Sequence, residues 1–243
     1  MRDFDFKEND SDGMDTLRAI SGAKKFNKWM YDSIKDNCFG NILEIGSGIG
    51  NLTEIFLKEK KDIHGSDIRI EYINDLKSRF GNYENLKSVL MLDIAHPDFD
   101  NNYRPYFNSF DTIFALNVIE HIKDDKTAIK NCLKLLKENG NLIILVPAYE
   151  CLYNSIDKSL YHFRRYSKSS LRFIFPNIKQ IKHLYSFNFM GIFAWWISGE
   201  VFRDEVVKPN KMNIYNSLVP IFRIIDKIFF NKIGLSLIAV YKK

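Results

Sequence analysis

Residues 41–50 read Asn-Ile-Leu-Glu-Ile-Gly-Ser-Gly-Ile-Gly, and the reading of this stretch decides the fold. Ile42, Leu43 and Ile45 form the short apolar run of a buried parallel strand. Gly46, Gly48 and Gly50 then alternate with small or apolar residues, and Asn51-Leu-Thr-Glu-Ile-Phe-Leu is helix-prone. A strand that turns through glycines into a helix leaves backbone N–H groups facing a ligand, with no Cβ atoms in the way. The spacing is G-x-G-x-G, not the G-x-G-x-x-G of dinucleotide sites. Glu44, just before the first glycine, repels a pyrophosphate and suits a cationic group.

The pattern of an acidic residue, x, then G-x-G-x-G resembles the first motif of the class I S-adenosylmethionine (SAM) methyltransferases, of the bacterial type 11/12 kind. The donor's ammonium and sulfonium agree with the carboxylate of Glu44. The resemblance implies that Glu44, Gly46, Ser47, Gly48, Gly50 and Asn51 hold SAM, whose product is S-adenosylhomocysteine. Another glycine turn in an α/β protein would share these residues, so the downstream sequence has to decide.

Asp67 ends the expected second strand, 62–66, about 20 residues beyond the glycines, the place from which a carboxylate bonds vicinal ribose hydroxyls. Asp67 is equally a good N-cap for the helix that starts near Arg69. The resemblance puts Asp67 and Ile68 on the ribose, and puts Asp93 and Ile94, after a third strand at 88–92, on the adenine. A capped turn is the alternative for Asp93. Strand four, 110–116, runs into Asn117-Val-Ile-Glu-His-Ile. This is similar to the family's Glu-His stretch and places Asn117, Val118 and His121 beside the methionine part of the donor. Some related O-methyltransferases hold magnesium through an aspartate where this chain has Asn117, and no H-E-x-x-H or paired cysteines appear, so no metal is expected.

Strands alternating with helices predict a three-layer, Rossmann-like α/β fold. The resemblance makes it a mostly parallel seven-stranded sheet, with strand seven antiparallel between strands five and six. A single methyltransferase domain over 1–243 is expected. It has an N-terminal helix at 14–36 that packs on the sheet or closes over the ligand, substrate or cap segments at 148–175 and 188–234, and a helical insert before the last strand. Residues 1–13 read as a loose polar arm, and 95–110 as a connection without a clear helix.

The segment from Ala148 includes Asp157 and His162-Phe-Arg-Arg-Tyr-Ser, similar to stretches that lie beside the active site in many bacterial methyltransferases. His162 is the candidate general base, since a histidine changes charge near neutral pH. A lone histidine is also often structural. Tyr166 is the second candidate catalytic residue. Arg164 and Arg165 can hold an anion, or one can pair with Asp157.

The chain has 243 residues and a formal net charge of +5, too little by itself to imply nucleic acid. Three cysteines without C-x-x-C pairing, no signal-like start and no long uncharged apolar run point to a cytoplasmic protein. The expected acceptor is a small molecule or a lipid- or glycan-linked one, methylated on oxygen or nitrogen. Basic residues over 158–182 followed by the aromatic run 187–197, with Trp195 and Trp196, suit peripheral contact with the inner membrane surface. The bland alternative is a cap with its own core and a solvated basic face. From another class, a SAM-binding module without turnover also fits the donor motifs, while the glycine spacing disfavours a nucleotide-dependent oxidoreductase.

Overall fold

The computed structural model describes residues 11–243. A seven-stranded sheet in the order β3-β2-β1-β4-β5-β7-β6 forms the centre. Its first five strands are β1 (Ile42–Ile45), β2 (Ile63–Asp67), β3 (Leu86–Met91), β4 (Phe110–Leu116) and β5 (Leu136–Pro147), and they pair in parallel. Strand β7 (Ser236–Lys242) runs antiparallel between β5 and β6 (Ile181–Phe187). All four residues of β1 are buried, as a strand covered on both faces requires.

The period-two alternation of β1 and β4 divides the core. Leu43, Ile45, Ile113 and Ala115 face one layer, with Ile129 and Leu135 of a covering helix. Ile42 and Phe114 face the other, with Phe56, Leu76 and Phe222. Phe56 and Phe114 stack with ring centroids 5.0 Å apart.

The helices are α1 (Ser11–Ser21), α2 (Lys24–Ile34), α3 (Thr53–Lys58), α4 (Ile70–Phe80), α5 (Phe99–Tyr103), α6 (Asp125–Leu135), α7 (Ser155–Ser159), α8 (Lys168–Phe173), α9 (Phe189–Trp196) and α10 (Pro209–Ile228). The expected N-terminal helix is two helices, broken at Gly22-Ala23, where Ala23 leaves helical geometry. Residues 11–13 of the expected loose arm belong to α1; the rest of that arm lies outside the described residues. The connection after β3 holds the short α5, whose buried Phe99 stacks near Phe107. Helix α10 begins at Pro209, where a proline suits a first turn, and carries Pro220 in its interior. Ser167 caps α8 through a bond from the Ser170 N–H.

The strand order reverses between β1 and β4, and in open parallel sheets the crevice beyond the carboxyl ends of such strands is the binding place. Gly46 follows β1 and Asn117 follows β4, so both open into it.

Candidate active site

A cavity of about 1400 Å³ opens over the carboxyl ends of the parallel strands. Its floor is the glycine turn. Gly46 and Gly48 have φ of +70° and +52°, in the left-handed region that glycine adopts without penalty. A Cβ on Gly46 would come within 2.5 Å of Val118, and one on Gly48 within 2.9 Å of Leu17. Ser47 ties the turn to β2, since its N–H donates to the Ser66 carbonyl (2.8 Å) and its Oγ accepts from the Ser66 N–H (3.1 Å).

Three carboxylates face this floor. Glu44 is buried and accepts a hydrogen bond from the Thr53 hydroxyl; burial pushes its carboxyl up to about 7. Asp67 accepts from the Gly48 N–H (2.9 Å) and the Arg69 N–H (3.0 Å). It therefore caps the turn and the start of α4 at once, while burial raises its pKa. Asp93 accepts from the Ala95 N–H (2.9 Å), and the Tyr103 hydroxyl accepts from its own N–H (3.1 Å). Ile68 and Ile94 line the cavity beside their aspartates.

Thr16, Leu17 and Ile20 of α1 form a wall over the turn, and the Asn51 amide donates to the Leu17 carbonyl (3.1 Å). Helix α1 thus covers the glycines, while Met30 and Ile34 of α2 pack in the core with Ile42 and Phe114 of the sheet, so the two roles open for the N-terminal helix fall to its two halves.

The opposite end of the cavity is histidine-rich. Asn117 takes φ +55° at the end of β4, a left-handed conformation that Asn tolerates better than most residues. It turns the chain into the 3₁₀ turn Ile119–His121. The Phe163 N–H donates to the Glu120 carbonyl (2.8 Å), which holds the segment after α7 against that turn. His121 and His162 meet edge to face with ring centroids 4.6 Å apart.

His162 is not alone: its Nδ1 lies 2.8 Å from Asp157 Oδ1. Asp157, fully buried, also accepts from Arg165 Nε (2.9 Å) and Trp195 Nε1 (3.2 Å). The Arg165 guanidinium, whose NH1 donates to the Ala148 carbonyl (2.9 Å), lies 4.8 Å from the Trp195 ring centre. These partners outweigh burial and hold Asp157 below the usual carboxylate range. His121 opens onto the cavity, yet its surroundings, with His162 beside it, lower its basicity. Glu120 is fully buried, neither of its oxygens has a hydrogen-bond partner, and burial pushes its carboxyl up to about 8.

Residues 43–142 match the family described as a methyltransferase domain. This stretch is a SAM-dependent methyltransferase domain. The methyltransferase covers 89% of its length on a SAM-dependent methyltransferase of Archaeoglobus fulgidus and 94% of that chain, at TM-score 0.55 and 14% identity. It covers 94% of its length on phosphoethanolamine N-methyltransferase 2 of Haemonchus contortus and 57% of that chain, at TM-score 0.60 and 17% identity. At these identities the likeness is one of fold. Among curated proteins, probable polyketide synthase 42 of Dictyostelium discoideum is 28% identical over 129 residues, 46% of this chain. A polyketide synthase–nonribosomal peptide synthetase of Pyricularia oryzae is 33% identical over 110 residues, 43% of this chain. The methyltransferase spans only 5% and 3% of the length of these two relatives.

Two residues read from sequence as site residues lie elsewhere. Tyr166 does not line the cavity; it is 1% exposed in the core and donates its hydroxyl to Asp125 (2.8 Å), which with burial raises its pKa. It holds α6 against the segment before α8, and its hydroxyl does not face the cavity where a catalytic group would act. Gly50 also lies off the cavity lining. Its φ of +81° and the approach of Phe80 to 2.5 Å of a would-be Cβ make it the packing point of the turn on α4. Of the two arginines, Arg165 pairs with Asp157 and Arg164 with Asp125 (2.8 Å), so neither is a ready anion site. Glu120 is not a site residue on the sequence reading, and Trp195, read there as part of a membrane-facing aromatic run, turns inward to Asp157; both placements depend on chain segments far apart in sequence.

Proposed function

We propose that the methyltransferase transfers the methyl group of SAM to an oxygen or nitrogen nucleophile of a small-molecule acceptor or of a lipid- or glycan-linked one. One observation carries the donor assignment: a glycine turn whose Cβ positions are excluded, flanked by the carboxylates of Glu44, Asp67 and Asp93 on one cavity floor. These residues fit SAM. Glu44 suits its ammonium, Asp67 its ribose hydroxyls, and Asp93 with Ile94 its adenine. Asn117, Val118 and His121 fit the methionine part. The donor supplies an already activated sulfonium methyl, so the chain has to align a nucleophile with it and exclude water. The nucleophile belongs at the histidine end, where Asp157 fixes the His162 ring with its second nitrogen left to act on the acceptor.

The acceptor class rests on size and surface. The cavity exceeds the usual range of roughly 300–1,000 Å³ for a single ligand, room for a donor and a sizeable acceptor. Segments 148–175 and 188–234 build its acceptor side through His162 and Trp195. The cap exposes Phe193, Trp196, Phe202 and Phe230 in an otherwise folded surface, with Lys158, Arg172, Lys179 and Lys182 exposed on the preceding segment. Apolar rings beside cations suit an amphiphilic acceptor met at the cytoplasmic membrane surface. Among the described residues no helix is long and apolar enough to cross a membrane. The polyketide synthase relatives favour a small-molecule acceptor instead.

Release of S-adenosylhomocysteine with a panel of soluble hydroxylated, amino and lipid-linked acceptors tests the reading. Turnover with any of them supports it, and a turnover maximum on lipid-linked acceptors selects that class. SAM binding with no turnover of any acceptor would favour a SAM-binding module, and absence of SAM binding would sink both.

A further inference from the structure

Glu120, His121 and His162 each present one donor atom, and the three lie within 4.8 Å of one another. We propose that they form a binding site for a divalent transition-metal ion, and that the acceptor is a hydroxyl compound that ligates this ion. The inference rests on the methyl-transfer reading for its second half only.

Three observations carry the site. First, the Glu120 carboxylate is fully buried and neither oxygen has a hydrogen-bond partner. A buried carboxylate without donors is costly, and a bound cation is the partner that resolves it. The nearest buried cation, Arg165, is already engaged by Asp157 and the Ala148 carbonyl. Second, one imidazole is already oriented as a ligand: the Asp157 carboxylate engages His162 Nδ1 (2.8 Å), leaving Nε2 to bind, with the His121 ring edge to face beside it at 4.6 Å between centroids. A carboxylate or carbonyl on the far nitrogen is how metal-binding histidines are oriented. Third, His121 and His162 line the cavity, so an ion there keeps open positions toward an acceptor.

Two nitrogens and one carboxylate oxygen suit zinc, iron(II), cobalt(II) or manganese(II) better than magnesium or calcium, which prefer all-oxygen sets. A hydroxyl that ligates such an ion loses its proton to solvent more readily, as metal-bound water does. The resulting oxyanion attacks the methyl carbon of SAM. The new C–O bond takes the methyl group, the C–S bond breaks, and its electron pair stays on the sulfur of S-adenosylhomocysteine. His162 is then a ligand and not the proton acceptor, and the expectation of a metal-free site is reversed.

The test is direct binding of cobalt(II) alone to the chelator-treated full chain, read by its visible ligand-field bands and by calorimetry, with SAM binding measured in parallel. The expected result is one ion per chain. Glu120→Gln and His162→Gln should each weaken it by about 100-fold or more, and the positioning variant Asp157→Asn by roughly 10–100-fold. His183→Asn, on the exposed edge of β6, should bind as the native chain does. If Glu120→Gln fails to bind SAM it has not folded, and His121→Asn takes its place. No cobalt binding, or binding that His162→Gln and the folded carboxylate or His121 variant leave unchanged, overturns the site while SAM binding keeps the donor reading intact. Metal binding without SAM binding sinks the donor reading and leaves the site.

Discussion

The two ends of the cavity are built differently. At the glycine-turn end two of the carboxylates accept from backbone N–H groups: Asp67 from Gly48 of the turn across the sheet and from Arg69 two residues on, Asp93 from Ala95 two residues on. At the histidine end the carboxylates meet side chains, some near and some remote in sequence: Asp157 with His162, Arg165 and the distant Trp195, and Asp125 with the distant Arg164 and Tyr166. The first end depends on backbone shape and tolerates little change at the glycines. The second depends on a network in which each side chain fixes the next, so removing one member leaves buried charges without partners.

The largest effect should come from breaking the shape of the donor end. Gly48→Val places a β-branched residue at φ +52° with its Cβ 2.9 Å from Leu17. We expect SAM binding to be abolished, from backbone strain and lost space together. Calorimetry on the folded variant checks it, and normal affinity would mean that the turn is not the donor site.

Breaking the histidine end should leave donor binding alone. His162→Gln should lower kcat by roughly 10²–10⁴-fold with SAM affinity unchanged. A variant with near-native turnover across pH would reduce His162 to a structural partner of Asp157.

A smaller effect sharpens the electrostatics of the donor floor. The Glu44 carboxyl is raised by burial from 4.5 to about 7. Its folded-state pKa lies above the unfolded one, so the native state binds the extra proton and loses stability as pH rises from about 4.5 to about 7, at up to ~1.4 kcal/mol per pH unit. Glu44→Gln keeps an acceptor for Thr53 and should flatten that part of the curve. Melting temperatures of ligand-free native and variant proteins across this window measure it; parallel curves would show that Glu44 ionises freely.

The smallest effect separates two neighbouring tryptophans. Trp196 is 49% exposed, whereas Trp195 faces inward and donates to Asp157. Trp196→Ser should weaken sedimentation with anionic liposomes at low salt and leave turnover of soluble acceptors intact. Trp195→Ser should lower turnover by loosening the Asp157–Arg165 pair. Equal effects of both on liposome binding would contradict this division.

The same contrast explains what the sequence disclosed. The glycine turn after β1 and the aspartates at the ends of β2 and β3 were legible as turns at strand ends, because residue spacing encodes such turns. The alternation of strands and helices carried the parallel sheet, and the resemblance carried the position of β7. Within the motif Gly50 looked like its neighbours, because spacing cannot tell a glycine that admits a ligand from one that admits Phe80. Tyr166 and His162 sit in one short stretch, yet one is sealed in the core against Asp125 and the other opens on the cavity. Only the packing of α6 and α7 separates them. In sequence Glu120 is one half of a Glu-His pair that reads as a family signature, and its burial without a partner is a property of the folded chain.

The most direct test of the central claim is calorimetric titration of SAM into the native chain and into Asp67→Ala. The account predicts binding of one SAM per native chain and an affinity lower by roughly 1–3 kcal/mol in the variant, the cost of leaving buried ribose hydroxyls unpaired. Unchanged affinity in a folded Asp67→Ala chain would contradict it.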